Sequence, residues 1–233
     1  MAKGILFDFD GTVAHHSNGR LEPFLQEVRN LGYDVYRPEL QAAHDFVLCV
    51  ELPRKGYEGP EAVLEAVLKQ LGLKPKRTEL MALAPVFAEL HRFRLYEDAA
   101  RAVPALAKSH RIGIVSGLPS FLVKPAIAPL NVNVALITPK EAKAAMPSPK
   151  CFQAAMQALA VKPKDVTVVS ADCEDGLSVP KSLGLRTVFL RRQGDASCLH
   201  ATATISSLDE LEAVLKPLPP KASAPPPALA AKA

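Results

Sequence analysis

The chain has 233 residues, 48% of them hydrophobic, with four Tyr, no Trp and a formal net charge of +4 spread along its length. That length suits one sizeable domain or one domain carrying an insertion, and the apolar content can fill a substantial core. The scarcity of aromatics excludes a base-stacking platform for nucleic acid. The mixed charge points to no acidic partner, and no window approaches the ~18 uninterrupted apolar residues of a membrane span.

Cys49, Cys151, Cys173 and Cys198 show neither Cys-x-x-Cys spacing nor zinc-like grouping with the six His. They are expected to be four free thiols, which with an amino terminus unlike a signal peptide predicts a cytoplasmic protein.

In chain order, Ile5-Leu6-Phe7 reads as a short buried strand that gives way to a turn at Asp8-Phe9-Asp10-Gly11-Thr12. Two carboxylates one residue apart therefore sit where a strand ends, the place where ligands bind in parallel α/β sheets. The plainer reading of Asp-x-Asp there is turn chemistry. A polar loop follows from Ala14 to Gly19. Leu21, Phe24, Leu25, Val28 and Leu31 then recur at helical spacing up to Gly32. Further amphipathic runs follow Pro38 and Pro60, and another holds Leu80 to Leu90, expected to bend or divide at Pro85. No strand is expected between about Arg20 and Leu95.

From Tyr96 the pattern alternates. A helix through Ala105 and Leu106 leads to Ile112-Gly113-Ile114-Val115-Ser116 as a strand, and a helical stretch from Phe121 to Leu130 precedes a strand in Val132–Ile137. Phe152 to Leu159 is helical, Val166 to Ser170 a strand ending at Asp172, and Thr187 to Leu190 another strand. Strands alternating with helices imply crossover connections and a mostly parallel, Rossmann-like α/β sheet. Leu208 to Leu215 forms a last helix behind a capping box of Ser207 and Glu210. Beyond Lys216 the Pro-, Ala- and Lys-rich sequence predicts a disordered tail.

Asp8-Phe9-Asp10-Gly11-Thr12-Val13, the strand ending at Ser116, Pro147-Ser148-Pro149 and the acidic cluster from Asp172 to Asp175 occur in that order. Together they resemble the haloacid dehalogenase superfamily over residues 4 to 215. The resemblance implies a core formed by residues 1–14 and 96–216, a helical cap in 15–95 and a tail in 217–233. It implies Asp8 as the nucleophile that forms an aspartyl-phosphate, and Asp10 as the acid that protonates the leaving oxygen and then activates water. Asp8 and Asp10 would face one phosphoryl group because residues i and i+2 share a side of a strand. Ser116, Thr12 and Gly117 would bind phosphate, although Ser116 and Thr12 also suit ordinary turns. Asp8, Asp10 through its main-chain carbonyl and Asp172 would hold Mg²⁺.

Two motifs depart from the family pattern. Where the family has Gly-Asp-x-x-x-Asp, this chain reads Ala171-Asp172-Cys173-Glu174-Asp175-Gly176, with Gly176 at the usual second acid. Asp175 is a candidate supporting acid or a solvated one, and Pro180 is expected to delay the following helix to near Ser178. The family's Lys-Pro-x-Pro lysine is replaced by Met146. Lys143 is the first candidate to replace it, with Lys150 and Lys140 farther away; exposed lysines of no special role are the alternative. His15, His16, His91, Arg92 and Arg94 lie where the chain enters and leaves the cap and read as solvated side chains with a possible view of an anionic substrate.

The expected function is a Mg²⁺-dependent phosphatase acting on a small phosphorylated metabolite, with no nucleic-acid or membrane partner. Dehalogenation needs no leaving-group acid, so Asp10 argues against it. Phosphonate cleavage would need a Schiff-base lysine, and neither Lys55 nor Lys69 has a distinguishing context. Met146 motivates the alternative of a catalytically weakened relative that binds a phosphorylated ligand or a partner.

Overall fold

The computed structural model describes residues 3–16, 21–55, 57 and 59–216. The elements in chain order are β1 (Gly4–Asp8), β2 (Ala14–His16), α1 (Leu21–Asn30), α2 (Arg37–Phe46), α3 (Leu52–Lys55), α4 (Pro60–Gln70), α5 (Arg77–Leu90) and β3 (Phe93–Leu95). There follow α6 (Glu97–Ala107), β4 (Arg111–Val115), α7 (Ser120–Ile127), β5 (Val134–Ile137), α8 (Pro139–Ala142), α9 (Pro149–Leu159), β6 (Val166–Ser170), α10 (Glu174–Ser182), β7 (Arg186–Leu190), β8 (Ala203–Ile205) and α11 (Leu211–Leu215). A π-helical turn, Val47–Glu51, joins α2 to α3.

Six strands form one sheet in the order β5-β4-β1-β6-β7-β8, and every pairing in it is parallel. This is the Rossmann-like α/β architecture that the alternation of elements predicts. β1 lies inside the sheet, and both its faces are buried. Ile5 and Phe7 pack on one side with Val103, Ile112 and Val123, while Leu6 packs on the other with Val115, Phe152 and Val168. The two-residue period of a strand explains that division. The register pairs Asp8 with Val115 and Phe7 with Val169. It therefore brings the carboxyl ends of β1, β4 and β6 level with one another.

Helices α1, α2, α4 and α5 gather a separate apolar cluster around Phe24, Leu40, Leu64, Leu68 and Phe87. α5 is not divided at Pro85. Where no strand was expected, β2 and β3 pair antiparallel, His15 opposite Arg94, at the point where the chain leaves the sheet and returns. Three residues per strand are too few for periodicity to show. β8, at the sheet edge, was likewise not anticipated. The predicted tail, 217–233, and part of the loop after His16 lie outside the described residues.

Candidate active site

Asp8 is the last residue of β1, and its carboxylate is held on three sides. Oδ1 accepts the Phe9 amide at 2.7 Å, and Oδ2 accepts the Ser170 hydroxyl at 2.8 Å and, more weakly, that of Thr12 at 3.5 Å. Ser170 is fully buried at the end of β6, where the strand register sets it opposite Asp8. Burial pushes the Asp8 carboxyl up to about 7; the bonds from Ser170 and Phe9 lower it, and the charges of Asp10 and Asp172 raise it further.

Asp10 is not on an extended strand beside Asp8. The chain turns at Phe9, whose carbonyl accepts the amides of Thr12, Val13 and Ala14 at 3.4, 3.0 and 3.1 Å. Gly11 takes a φ of 72°, a conformation that glycine adopts without Cβ strain. It is this turn, and not an i, i+2 spacing along a strand, that carries Asp10 into an open cleft of about 540 Å³ lined also by Asp172, Glu174 and Ser197. Partial burial raises the Asp10 carboxyl, while the Gly11 amide and the nearby His16 and His15 lower it. Thr12 is fully buried. Its Oγ1 accepts the Ala171 amide at 2.8 Å, and its own amide is turned toward Phe9, so the structure shows Thr12 tying the turn to the end of β6.

On the other flank, Ser116 is buried at the end of β4 and its Oγ accepts the Leu118 amide at 3.0 Å, which leaves the hydroxyl proton to donate. Gly117 is exposed, and a Cβ built on it would lie 3.7 Å from Cβ of Met146. Met146 thus stands beside the loop that follows β4. Lys143, the first candidate to supply the missing ammonium, is exposed at the end of α8 with a left-handed backbone, and Lys150 is exposed in the first turn of α9.

Asp172 acts first on its own backbone. Its Oδ1 accepts the amides of Glu174 and Asp175, both at 2.9 Å, and starts α10 at Glu174 instead of near Ser178. Asp175 is exposed. Gly176, at the family's second-acid position, is there for space. A Cβ on it would fall 2.0 Å from Ser170 Oγ and 2.6 Å from Ser170 Cβ. Ser170 is the site residue the sequence reading passed over. The signal was present in a second small hydroxyl residue closing a β-branched run, six residues before a helix-embedded glycine.

Among the described residues no three His, Cys, Asp or Glu side chains group closely enough to hold a metal ion. The expected set differs from such a cluster, because it contains two carboxylates and one main-chain carbonyl. Its chemistry suits a hard divalent cation. Asp172 is near enough to Asp8 for its charge to raise the Asp8 carboxyl. Of the carbonyls from Phe9 to Ala14, that of Asp10 alone has no hydrogen bond among the described residues.

Two expectations are corrected. Cys173 and Cys198 form a disulfide, because the turn after β6 and the loop after β7 bring their Cα atoms to 5.4 Å although 25 residues separate them. The argument from four free thiols therefore does not hold; Cys151 is free and buried. His91 is not a solvated side chain. It is 6% exposed, its ring stacks on His44 at 5.0 Å, and burial followed by the neighbouring His44 and His16 pushes it down to about 3.

The model of the haloacid dehalogenase-like hydrolases matches residues 2–180. The chain belongs to that family. Within the hydrolase family's known structures, the chain resembles a 2-haloacid dehalogenase from Pseudomonas syringae pv. Tomato DC3000 (20% identity, 92% of this chain and 98% of that one, TM-score 0.70). It also resembles a haloacid dehalogenase-type phosphatase from Thermococcus onnurineus (22% identity, 91% and 97%, TM-score 0.58). A third resemblance is to the putative hydrolase YfnB from Bacillus subtilis bound to magnesium (13% identity, 92% and 98%, TM-score 0.59). At these identities the likenesses establish the fold. No curated protein matches the chain. Among the described residues of this family member, no helix is long and apolar enough to cross a membrane.

Proposed function

We propose that this hydrolase cleaves a small phosphomonoester through an aspartyl-phosphate on Asp8. The observation that carries the reading is Asp10, which the turn after β1 presents to the same cleft as Asp172. A second carboxyl group beside the nucleophile serves a reaction with an alkoxide leaving group and has no task in displacing halide.

In this reading Asp8 attacks phosphorus, and the departing oxygen takes the proton of Asp10. Asp10, now ionised, draws a proton from the water that hydrolyses the acyl phosphate. Ser170 orients the attacking carboxylate, and the free hydroxyl proton of Ser116 donates to a phosphoryl oxygen. Gly117 leaves room there for phosphate. Asp8, Asp172 and the Asp10 carbonyl would hold Mg²⁺, which when bound offsets the repulsion between carboxylate and phosphate.

Met146 supports a second reading, a weakened catalyst that retains ligand binding. One experiment separates the readings. Phosphate release from p-nitrophenyl phosphate and chloride release from 2-chloropropionate are measured with Mg²⁺ and with chelator, for the wild type and Asp8→Asn. Metal-dependent phosphate release that falls at least ~10³-fold in Asp8→Asn is the expected result. Chloride release insensitive to chelator would replace it with dehalogenation. Absence of turnover with retained binding of a phosphorylated ligand would leave the weakened catalyst.

A further inference from the structure

The catalytic turn is held from outside by one side chain that belongs to none of the motifs. Arg192 follows β7, and its guanidinium is 17% exposed. Nε donates to the Gly11 carbonyl at 2.9 Å, and a terminal nitrogen donates to the Thr12 carbonyl. The same group pairs with both Asp98 oxygens at 3.1 Å and lies 3.6 Å over the ring of Tyr96. Asp98 is locked in turn by the amides of Ala99 at 2.8 Å and Leu208 at 2.9 Å. Tyr96 adds its own amide to the Val13 carbonyl at 3.0 Å, and the Gly11 amide closes on the Ala14 carbonyl at 2.8 Å.

The carbonyls of residues 11, 12, 13 and 14 are therefore all engaged, the first two by Arg192. Thr12, whose side chain bridges Asp8 and the Ala171 amide, sits inside that span. Tyr96 begins the segment after β3, where the chain has returned from the helical block. One guanidinium thus touches both the turn that presents Asp10 and the residue at which the block rejoins the sheet.

We propose that Arg192 is a positioning residue. It fixes the turn that presents Asp10 and Thr12, and through Tyr96 and Asp98 it ties that turn to the return from the helical block. A planar five-donor group can bond two carbonyls and a carboxylate at once, which an ammonium cannot. The inference rests on the proposed function for its kinetic consequence, while its structural consequence stands apart from it.

The test uses the full chain carrying Arg192→Lys or Arg192→Met. Lysine keeps a cation beside Asp98 but cannot reach both carbonyls, so it serves if the methionine variant fails to fold. In variants with an intact circular dichroism spectrum, amide exchange in residues 11–14 is expected to quicken at least tenfold while that of β1 stays unchanged. With p-nitrophenyl phosphate, kcat is expected to fall about 10- to 100-fold with KM within threefold, because misplacement at the reacting centre acts on the transition state. Unchanged exchange in residues 11–14, or a lower melting temperature with wild-type kcat in the folded protein, would overturn the proposal. If the wild type releases no phosphate, the phosphatase reading fails alone and the exchange measurement still decides the role of Arg192.

Discussion

The two flanks of the candidate site are built differently. Toward β6, Asp8 is joined to Ser170, Thr12 to the Ala171 amide, and the Ser170 hydroxyl also accepts the Asp172 amide at 2.9 Å. Behind this flank stand Arg192 and Asp98. Toward β5, Ser116 bonds its own loop, Gly117 is exposed beside Met146, and Lys143 and Lys150 are exposed. The first flank is a network in which each polar atom fixes the next, so its geometry is set before any ligand arrives. In the proposed reaction the second flank would leave charge stabilisation of the phosphoryl group to the metal and to the ligand's own contacts. The contrast puts the proposed nucleophile on the rigid side and any loss of catalytic power on the open one.

The largest effect that would sharpen this contrast is a gain of function on the open flank. Met146→Lys restores an ammonium beside the end of β4. Phosphate release is expected to rise by an amount approaching the ~10²–10³ that one electrostatic contact contributes. Lys143→Ala in the same assay is expected to leave the rate within twofold, since that side chain is exposed. A loss of more than tenfold in Lys143→Ala would return the lysine to the mechanism, as the sequence alone had suggested.

On the rigid flank, Gly176→Ala should break the network. The added methyl would lie 2.0 Å from Ser170 Oγ, a backbone-anchored contact that cannot yield cheaply. Overpacking of this kind costs about 1–3 kcal/mol, which for a chain of this size lowers the melting temperature by roughly 2–4 °C per kcal/mol. Ser170→Gly in the same chain should recover part of that loss, and calorimetry on the two single variants and the double variant tests the coupling.

The smallest effect concerns acid stability. Burial raises the Asp98 carboxyl, but Arg192 and the Leu208 and Ala99 amides outweigh it and hold the group below its ordinary 3.8. The unfolded chain therefore binds the proton more readily. The stabilisation is present above pH ~3.8 and is lost as pH falls through that value toward the lower folded one. Melting temperature against pH should accordingly fall less steeply below pH 4 in Asp98→Asn than in the wild type. Parallel acid limbs would show that the pair contributes nothing to stability.

Five of the six sheet strands were legible in the sequence, because strands of a parallel sheet flanked by helices are written as short runs of apolar residues. The positions of Asp8, Ser116 and Asp172 at or just beyond the ends of β1, β4 and β6 were legible as well. What the tertiary structure alone decided has no local pattern. Ser170 meets Asp8 across 162 positions through strand register. Arg192 meets Gly11 across 181 through the course of the chain after β7, and Cys173 meets Cys198 through the convergence of two loops. Gly176 is required by a hydroxyl on another element. Periodicity and turn chemistry act between neighbours in the chain and are written there. Contacts between distant residues depend on how the elements stack, which no single segment encodes.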